Sequence, residues 1–342
     1  MPTALPVEVP SGPPIHPLFA SFARRSLAGE ALSRDEARAV LHTADEELGA
    51  LLQAAYAVRQ AQWGNRVKVC VLQNARSGLC PEDCGYCSQS SVSTAEIETY
   101  RLLSQEKLVA AAERAIAEGA RRYCMVTSGR GPSERDIEHL CAATRTIKSE
   151  HPELEVCVSL GILDEAKARR LQEAGVGWVN HNLNTSERFH PEICSTHDYA
   201  DRVSTIRAAK QAGLQTCCGG IIGMGEEDDD VVELGFALRE LEVDSLPLNF
   251  LHPIGGTPLG DRTPVEADRA LRALCLMRFL NPAADIRAAG GRERTLGEWQ
   301  ALALYPANSI FVNGYLTTPG QASAEARRMV EGWGFTLEEG LA

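Results

Sequence analysis

The chain has 342 residues, of which 44% are hydrophobic and 23% are charged, and its formal net charge at pH 7 is -12. This length and composition are typical of one large globular domain or two smaller ones. The negative charge argues against nucleic acid or an anionic membrane as a partner, because both require a basic protein surface.

The sequence contains no run of 18 uncharged apolar residues, and its N-terminus lacks the pattern of a secretory signal. We therefore expect a cytoplasmic protein. The eleven cysteines are odd in number and irregularly spaced. This pattern favours a reduced compartment in which thiols bind metal or take part in catalysis, rather than a disulfide framework.

The predicted elements begin after a proline-rich segment. Residues 1–17 contain six prolines and little apolar periodicity, which predicts a flexible tail. Residues 18–64 have a helical pattern and are predicted to form an N-terminal helical extension. Two predicted capping boxes mark its helices, at Ser33 with Glu36 and at Thr43 with Glu46.

Residues 65–335 alternate short apolar runs with amphipathic helical patterns, and residues 336–342 remain as a C-terminal tail. Eight such runs predict a (β/α)8 TIM-type barrel of parallel strands. An open doubly wound sheet would share the alternation, but no G-x-G-x-x-G follows the first run. The runs are Val67–Gln73, Arg122–Ser128, Leu154–Leu160, Trp178–Leu183, Leu214–Ile222, Ser245–Phe250, Asp285–Ala288 and Ser309–Val312.

A cysteine-rich loop follows the first predicted strand, where barrel enzymes place their active sites. Cys80, Cys84 and Cys87 have the spacing C-x3-C-x2-C. A structural zinc site would need four protein ligands, and no fourth Cys or His lies nearby in the sequence. Three thiolates would instead leave one iron of a 4Fe-4S cluster open to an exogenous ligand.

This loop resembles the signature of the radical S-adenosylmethionine superfamily, in which an aromatic residue, here Tyr86, precedes the last cysteine. The resemblance implies that Cys80, Cys84 and Cys87 hold three irons of a 4Fe-4S cluster and that S-adenosylmethionine chelates the fourth. It also implies that an electron from the cluster cleaves the cofactor, and that the resulting 5′-deoxyadenosyl radical abstracts hydrogen from the substrate.

Cys124, Cys157 and Cys217 lie in three different predicted strands. A single strand cysteine is most often a small buried hydrophobe. Cys124, Cys157 and Cys217 together, however, could converge on the barrel axis, because side chains of successive strand residues alternate between the interior and the helix layer. Spacing alone does not decide between Cys217 and Cys218, of which one should face inward.

The segments around these cysteines resemble the branch of the superfamily that inserts sulfur into dethiobiotin, over about residues 65–335. This resemblance implies that Cys124, Cys157, Cys217 and Arg287 ligate a 2Fe-2S cluster whose sulfide is delivered to dethiobiotin, with Cys217 facing inward and Cys218 outward. The segments are Tyr123–Met125, Glu155–Cys157, Asn180–Thr185, Cys217–Ile221, Leu246–Phe250, Ile286–Arg287 and Gly290–Glu293.

The same resemblance implies polar contacts to the small molecules. Asn182 and Asn249 would contact the ureido ring of dethiobiotin, and Asn180 alternates in phase with Asn182. Asn184 stands where many relatives have an Asp that contacts the cofactor ribose. The residues implied for S-adenosylmethionine are Tyr86, Asn182, Asn184 and Arg202, and a solvated helix charge is the alternative for Arg202.

The resemblance further implies a homodimer and an electron-donor protein such as flavodoxin or ferredoxin. Two alternatives remain: another barrel of the superfamily, such as a maturase or mutase, and a non-catalytic electron carrier or zinc-stabilised binding protein. The histidines show no metal spacing. Four other cysteines are interpreted as buried or incidental: Cys70, Cys141, Cys194 and Cys275.

Overall fold

The structure is a computed structural model that describes residues 16–338. Most of the predicted proline-rich tail therefore lies outside the described residues. The described chain enters its first helix, α1, at Pro17, a residue type that suits the first turn because its missing N–H has no helical partner there.

The strands form a closed barrel of parallel neighbours. β1 pairs with β2 on one side and with β9 on the other, which closes the sheet and confirms the predicted barrel. β10 adds a short parallel pairing with the start of β1. The strands are β1 Arg66–Arg76, β2 Arg122–Thr127, β3 Glu155–Ser159, β4 Trp178–Asn180, β5 Gln215–Cys217, β6 Gly220–Ile222, β7 Ser245–Phe250, β8 Asp285–Ala288, β9 Ser309–Phe311 and β10 Thr336–Leu337.

The fifth predicted run is divided into β5 and β6. Both pieces pair with β7, and Cys218 and Gly219 lie between them. A Cβ atom on Gly219 would lie 1.9 Å from the carbonyl oxygen of Pro247, so the two backbones meet where only glycine fits. The two pieces together occupy one of the eight positions in the barrel wall.

Helices connect the strands and cover the outside of the barrel. In the part of the chain that the structure describes, they are α1 Pro17–Leu27, α2 Arg34–Leu41, α3 Leu48–Trp63, α4 Gln105–Ala117, α5 Glu134–Glu150, α6 Glu165–Glu173, α7 His190–Ile193, α8 Tyr199–Gln211, α9 Asp228–Glu240, α10 Ala267–Leu280, α11 Arg292–Leu296 and α12 Ser323–Gly332, with 3-10 segments at Asp45–Glu47 and Gly297–Leu304. None of these helices is both long enough and apolar enough to cross a membrane.

The two predicted capping boxes have different outcomes. The Ser33 side chain accepts from the Glu36 backbone and the Glu36 carboxylate accepts from the Ser33 backbone, so this box is confirmed. The box at Thr43 is wrong, because a 3-10 turn precedes α3 and the Thr43 hydroxyl donates to the carbonyl of Ala39 instead. A side chain that bonds backward within the preceding helix cannot cap the next one.

The N-terminal helices pack outside the barrel against α10. Phe22 of α1 meets Phe279 of α10 edge to face, with ring centroids 6.2 Å apart. The buried Arg272 of α10 donates to the carbonyl of Thr43, which lies between α2 and α3. This extension buries the outer face of α10 and leaves the carboxyl ends of the strands open, so the site forms at that end of the barrel.

Candidate active site

The three-cysteine loop follows β1 at the carboxyl end of the barrel. Cys80, Cys84 and Cys87 line one cavity of about 290 Å³. Asn184 and Arg202, two of the residues expected to contact the cofactor, line the same cavity. The structure therefore brings the loop and the polar residues that follow β4 to one place, as the expected site requires.

Hydrogen bonds fasten this loop to the segment after β4. The backbone N–H of Gly85 donates to the carbonyl of Ile193 at 2.9 Å. Asp83 accepts from the backbone N–H groups of Ser195, at 2.9 Å, and Thr196, at 3.2 Å. Desolvation raises the pKa of Asp83, but these donors and the Ser195 hydroxyl outweigh it and hold the pKa well below its usual range. The position of the loop thus depends on residues 193–196, which are distant from it in the sequence.

The same segment after β4 contains a thiol and an imidazole that the sequence interpretation missed. Cys194 is buried, and its Sγ lies 3.7 Å from Sγ of Cys84 and 3.3 Å from Nδ1 of His197. One potential ligand atom of each of these residues lies within 4.8 Å of the others. Cys194 is buried, as the sequence interpretation expected, but that interpretation gave it no partner. A search for metal spacing could not find it, because 110 residues separate Cys194 from Cys84.

A second polar group lies beside the loop. With its amide oxygen turned toward the donors, Asn184 accepts from the Tyr86 hydroxyl at 2.6 Å and from Arg202 at 3.2 Å. Arg202 also donates to the carbonyl of Asn182 at 2.8 Å. The backbone of Asn184 has a φ of 73°, in the left-handed region that Asn tolerates better than most residues. Arg202 is buried and hydrogen-bonded, which contradicts the alternative of a solvated helix charge.

The strand cysteines converge inside the barrel. Cys124 of β2 and Cys157 of β3 are register partners, and their sulfurs lie 3.3 Å apart. Cys217 of β5 packs in the same cluster, together with Trp178. The hydrogen bond from Cys124 and burial raise the pKa of Cys157 well above its usual value. A metal would have to displace these protons on binding.

Arg287 completes the group. Its Nη1 lies 3.5 Å from Sγ of Cys217, and its Nε donates to Ser309 at 3.0 Å. Nη2 donates to Ser245 at 3.3 Å and faces Asp285 at 3.4 Å. Burial lowers the pKa of Arg287, but the sulfurs of Cys70 and Cys217 and the carboxylate of Asp285 raise it well above its usual value overall. The side chain is thereby aimed at Cys217.

The structure also orients the remaining cysteines of this region. Cys218 packs in the layer between strands and helices, with Leu183 and Ile206, whereas Cys217 faces the interior. Cys70 of β1 is buried, and its sulfur lies 3.6 Å from the Ser309 hydroxyl that Arg287 also contacts. The incidental interpretation of Cys70 overlooked this position, although two-residue alternation along β1 could have indicated it.

A second cavity of about 290 Å³ adjoins the first and shares Tyr86, Cys87 and Asn182 with it. Asn249 lines both cavities, but its amide already donates to the carbonyl of Gly220 at 3.0 Å and accepts from the N–H of Gly290 at 2.9 Å. Asn182 likewise accepts from the N–H of Gly219, at 3.0 Å, and Asn180 donates to Sγ of Cys217, at 3.2 Å. These amides therefore shape the cavity wall through bonds within the protein.

The donor set fits two soft metal centres. All eleven cysteines, which lie within the described residues, are free thiols. Three buried polar atoms that belong to lining residues of the first cavity have no hydrogen-bond partner among residues 16–338: Thr127 Oγ1, His181 Nε2 and Arg202 Nε. Buried polar atoms are normally paired, so these atoms indicate a missing polar occupant.

A closed parallel barrel with three thiols in the loop after its first strand defines a class, the radical S-adenosylmethionine enzymes. The family model of the radical SAM superfamily matches residues 76–236, and the model of the biotin and thiamin synthesis associated domain matches residues 247–336. The class of the protein is therefore established from both the fold and the sequence.

Within that class the chain belongs to the biotin synthase family, radical S-adenosylmethionine enzymes that insert sulfur in biotin synthesis and use a 4Fe-4S and a 2Fe-2S cluster. It is 48% identical over 322 residues to the biotin synthase of Geobacillus thermodenitrificans, covering 94% of this chain and 97% of the relative. It is 46% identical over 317 residues to that of Bacillus subtilis, covering 93% and 94%.

Solved structures of lower identity support the fold alone. Methylornithine synthase superposes with a TM-score of 0.81 at 20% identity, covering 93% of this chain and 97% of that one. HydG, a maturase of the [FeFe]-hydrogenase, superposes with a TM-score of 0.80 at 14% identity, covering 94% and 75%. The barrel is thus shared by proteins that are named for different activities, and it does not specify the substrate.

Proposed function

We propose that this chain converts dethiobiotin to biotin in the cavity between its two groups of cysteines. Cys80, Cys84 and Cys87 would hold the 4Fe-4S cluster. The 2Fe-2S cluster would be held by Cys124, Cys157, Cys217 and Arg287. One observation carries the proposal: a single cavity is lined by Cys87 of the loop and by Cys124 of the barrel interior. A substrate there would lie between the two groups.

Bound at these residues, the loop cluster would supply the electron that cleaves S-adenosylmethionine, and the barrel cluster would supply the sulfur. The protein contributes position and the exclusion of water. The cavity wall between the two groups includes the apolar side chains of Leu72, Val126, Ile221 and Phe250, which suit the aliphatic part of dethiobiotin.

Polar groups at the wall would orient the two small molecules. Asn249 and Asn182 are proposed to face the ureido ring, held in place by their bonds to the backbone. Arg202, Asn184 and Tyr86 form one connected group beside the loop and are proposed to face S-adenosylmethionine. The free Nε of Arg202 is a donor suited to a carboxylate.

Arg287 has the least usual proposed role, because a guanidinium is normally protonated and has no lone pair to offer a metal. In this structure its nitrogens are donors, and Ser309, Ser245 and Asp285 hold them in place. The neighbouring acceptors would fix the side chain with Nη1 toward Cys217, the side on which the cluster would be held. We accordingly propose that these three residues position Arg287 rather than contact the substrate.

The wider organisation is part of the proposal. Residues 18–64 would form a helical extension and residues 65–335 the catalytic barrel. The enzyme would act as a homodimer and receive electrons from a protein such as flavodoxin or ferredoxin.

The proposal is tested with anaerobic protein reconstituted with iron and sulfide. Adding S-adenosylmethionine, a reductant and dethiobiotin should give 5′-deoxyadenosine and biotin, both measured by chromatography with mass detection. Omitting dethiobiotin should abolish biotin but leave the cluster absorbance unchanged. Deoxyadenosine without biotin would indicate a different radical enzyme, and neither product would indicate a carrier or binding protein.

A further inference from the structure

Cys194 is not one of the proposed cluster ligands, yet its sulfur lies 3.7 Å from the sulfur of the ligand Cys84. Both residues are free thiols and both are buried. A disulfide requires about 2.0 Å between sulfurs. A bond between the two sulfurs would require the side chains to move closer together.

The backbone keeps this pair together without any metal. The bond from Gly85 to Ile193 and the bonds from Ser195 and Thr196 to Asp83 lie directly beside the two cysteines. These contacts fix the loop against the segment after β4 on both sides of the sulfur pair. The approach of the two thiols is therefore built into the fold.

The surroundings of Cys194 favour chemistry at sulfur over a second metal site. The guanidinium of Arg202, which has no acceptor, lies 2.6 Å from Nε2 of His197. Nε2 must then be the accepting nitrogen, and a neutral ring carries its proton on Nδ1, which faces the Glu82 carboxylate as well as Sγ of Cys194, the latter at 3.3 Å. A protonated nitrogen cannot bind a cation, so His197 is not available as a metal ligand in this arrangement.

The two sulfurs differ in access. Cys84 lines the cavity of the loop, whereas Cys194 lies behind it against Asp83, whose Oδ1 is 3.2 Å from its sulfur. A small disulfide entering the cavity would meet Cys84 first. Cys194 would then be the resolving thiol, with its S–H group held by a hydrogen bond to Asp83.

We propose that Cys84 and Cys194 form a reversible redox pair whenever the loop carries no cluster. This inference rests on the proposed role of Cys84 as a cluster ligand. The oxidant is a low-molecular-weight disulfide, RSSR. The sulfur of Cys84 attacks it, breaking its S–S bond, forming a mixed disulfide and releasing one thiol RSH. Cys194 then attacks the Cys84 sulfur, forming the Cys84–Cys194 bond and releasing the second RSH. Two protein thiols are oxidised, one disulfide is reduced, and the two protons leave on the released thiols.

The disulfide would protect the loop when the loop holds no cluster. A buried disulfide shields Cys84 from irreversible oxidation to sulfinic and sulfonic acids. Because Cys84 cannot hold iron and a disulfide bond together, cluster loading would require prior reduction. Loaded protein, in contrast, would be resistant to the small disulfide at both residues.

The test uses the full chain, freed of iron under reducing conditions, desalted and treated with oxidised glutathione. Proteolysis at Asp83 and after Tyr86 separates Cys84 from Cys80 and Cys87, and mass spectrometry then maps the linkages. We expect Cys84 linked to Cys194 and full recovery of both thiols with dithiothreitol. In Cys194→Ser and Cys194→Ala we expect Cys84 to retain glutathione, whereas Cys141→Ser, a buried thiol of α5, should react as the parent does.

Three results would overturn the redox pair: Cys84 linked to Cys80 or Cys87 while Cys194 stays free, stable glutathione on Cys84 of the parent, or no reaction at Cys84. Protein reconstituted with iron and sulfide provides a separate test of the proposed function. Under the same glutathione treatment, its Cys194 should remain unlinked as long as the absorbance of the cluster persists. A Cys84–Cys194 bond that forms under intact absorbance would remove Cys84 from the ligands and so contradict the proposed function without contradicting the redox pair.

Discussion

The two groups of cysteines are assembled in different ways. Cys80, Cys84 and Cys87 lie within eight consecutive residues of one loop, and hydrogen bonds to Ser195 and Thr196 hold that loop in place. The interior group instead takes one residue from each of several strands, so its geometry is set by strand pairing. A local segment can bring its ligands together largely by itself, whereas the interior group exists only when the barrel has closed.

The difference also appears in what surrounds each group. The loop group borders a cavity whose wall carries polar atoms that have no hydrogen-bond partner within residues 16–338. The interior group is enclosed by side chains of the barrel wall, among them Trp178, and by the bonded guanidinium of Arg287. Changes in the loop should therefore act on one group alone, while changes in strand register should act on the interior group and on stability together.

The largest effect is expected from a substitution that inactivates one group of cysteines and spares the other. Cys84→Ala should reduce 5′-deoxyadenosine formation to background while leaving the absorbance of the 2Fe-2S cluster, because the ligand sets do not overlap. Chromatography and anaerobic absorbance spectra measure the two quantities. Cys275→Ala, which changes a buried thiol of α10, is the matched control and should retain both. Deoxyadenosine formation that persists in Cys84→Ala would refute the loop assignment.

The next prediction concerns which of the adjacent thiols, Cys217 or Cys218, faces the barrel interior. Cys217→Ser should lose the 2Fe-2S absorbance and biotin formation, since it removes an inward sulfur that Arg287 contacts. Cys218→Ser should keep both and lose about 1–3 kcal/mol of unfolding free energy, because it buries a hydroxyl in the strand–helix layer. Iron content and denaturant unfolding measure these effects. The opposite outcome would show that the register of β5 is shifted by one residue.

Substitution of Gly219 tests how strongly the interior group of cysteines depends on strand packing in the barrel wall. In Gly219→Ala the new methyl would meet the Pro247 carbonyl at 1.9 Å, so β5 and β7 must separate. We expect at least about 3 kcal/mol less stability in denaturant unfolding, together with reduced 2Fe-2S content. Gly49→Ala in α3, where nothing lies within 4 Å, should be about 0.5–1 kcal/mol more stable. Equal effects of the two changes would contradict the close approach.

The smallest effect is expected at the cavity wall. Asn249→Ala removes an amide that bridges Gly220 and Gly290, leaving two backbone groups unpaired at the cavity wall. Dethiobiotin affinity, measured by equilibrium binding to reconstituted protein, should weaken by about 1–3 kcal/mol. Asn281→Ala, which removes a buried amide bound to Gly235 outside the cavity, should alter stability but not affinity. Unchanged affinity in Asn249→Ala would exclude this residue from the substrate site.

The sequence by itself determined the features that depend on neighbouring residues. Alternating apolar runs predicted the eight positions of the barrel wall, and the spacing of Cys80, Cys84 and Cys87 predicted the loop site. The cap at Ser33 followed from a pattern three residues long, but the similar pattern at Thr43 failed, because a competing backward bond to Ala39 does not show in the spacing. Local patterns are reliable where no tertiary or local competitor intervenes.

Only the tertiary structure decided which distant residues meet. It oriented Cys217 inward and Cys218 outward, since the facing of a strand residue depends on its register with both neighbours. It brought Cys70 beside the site of Arg287 and placed Cys194 against Cys84, across 110 residues of chain. Alternation along β1 could have indicated the inward facing of Cys70 but not its partners, which barrel closure supplies. The contact of Cys194 leaves no periodic trace in the sequence, because docking of the segment after β4 creates it.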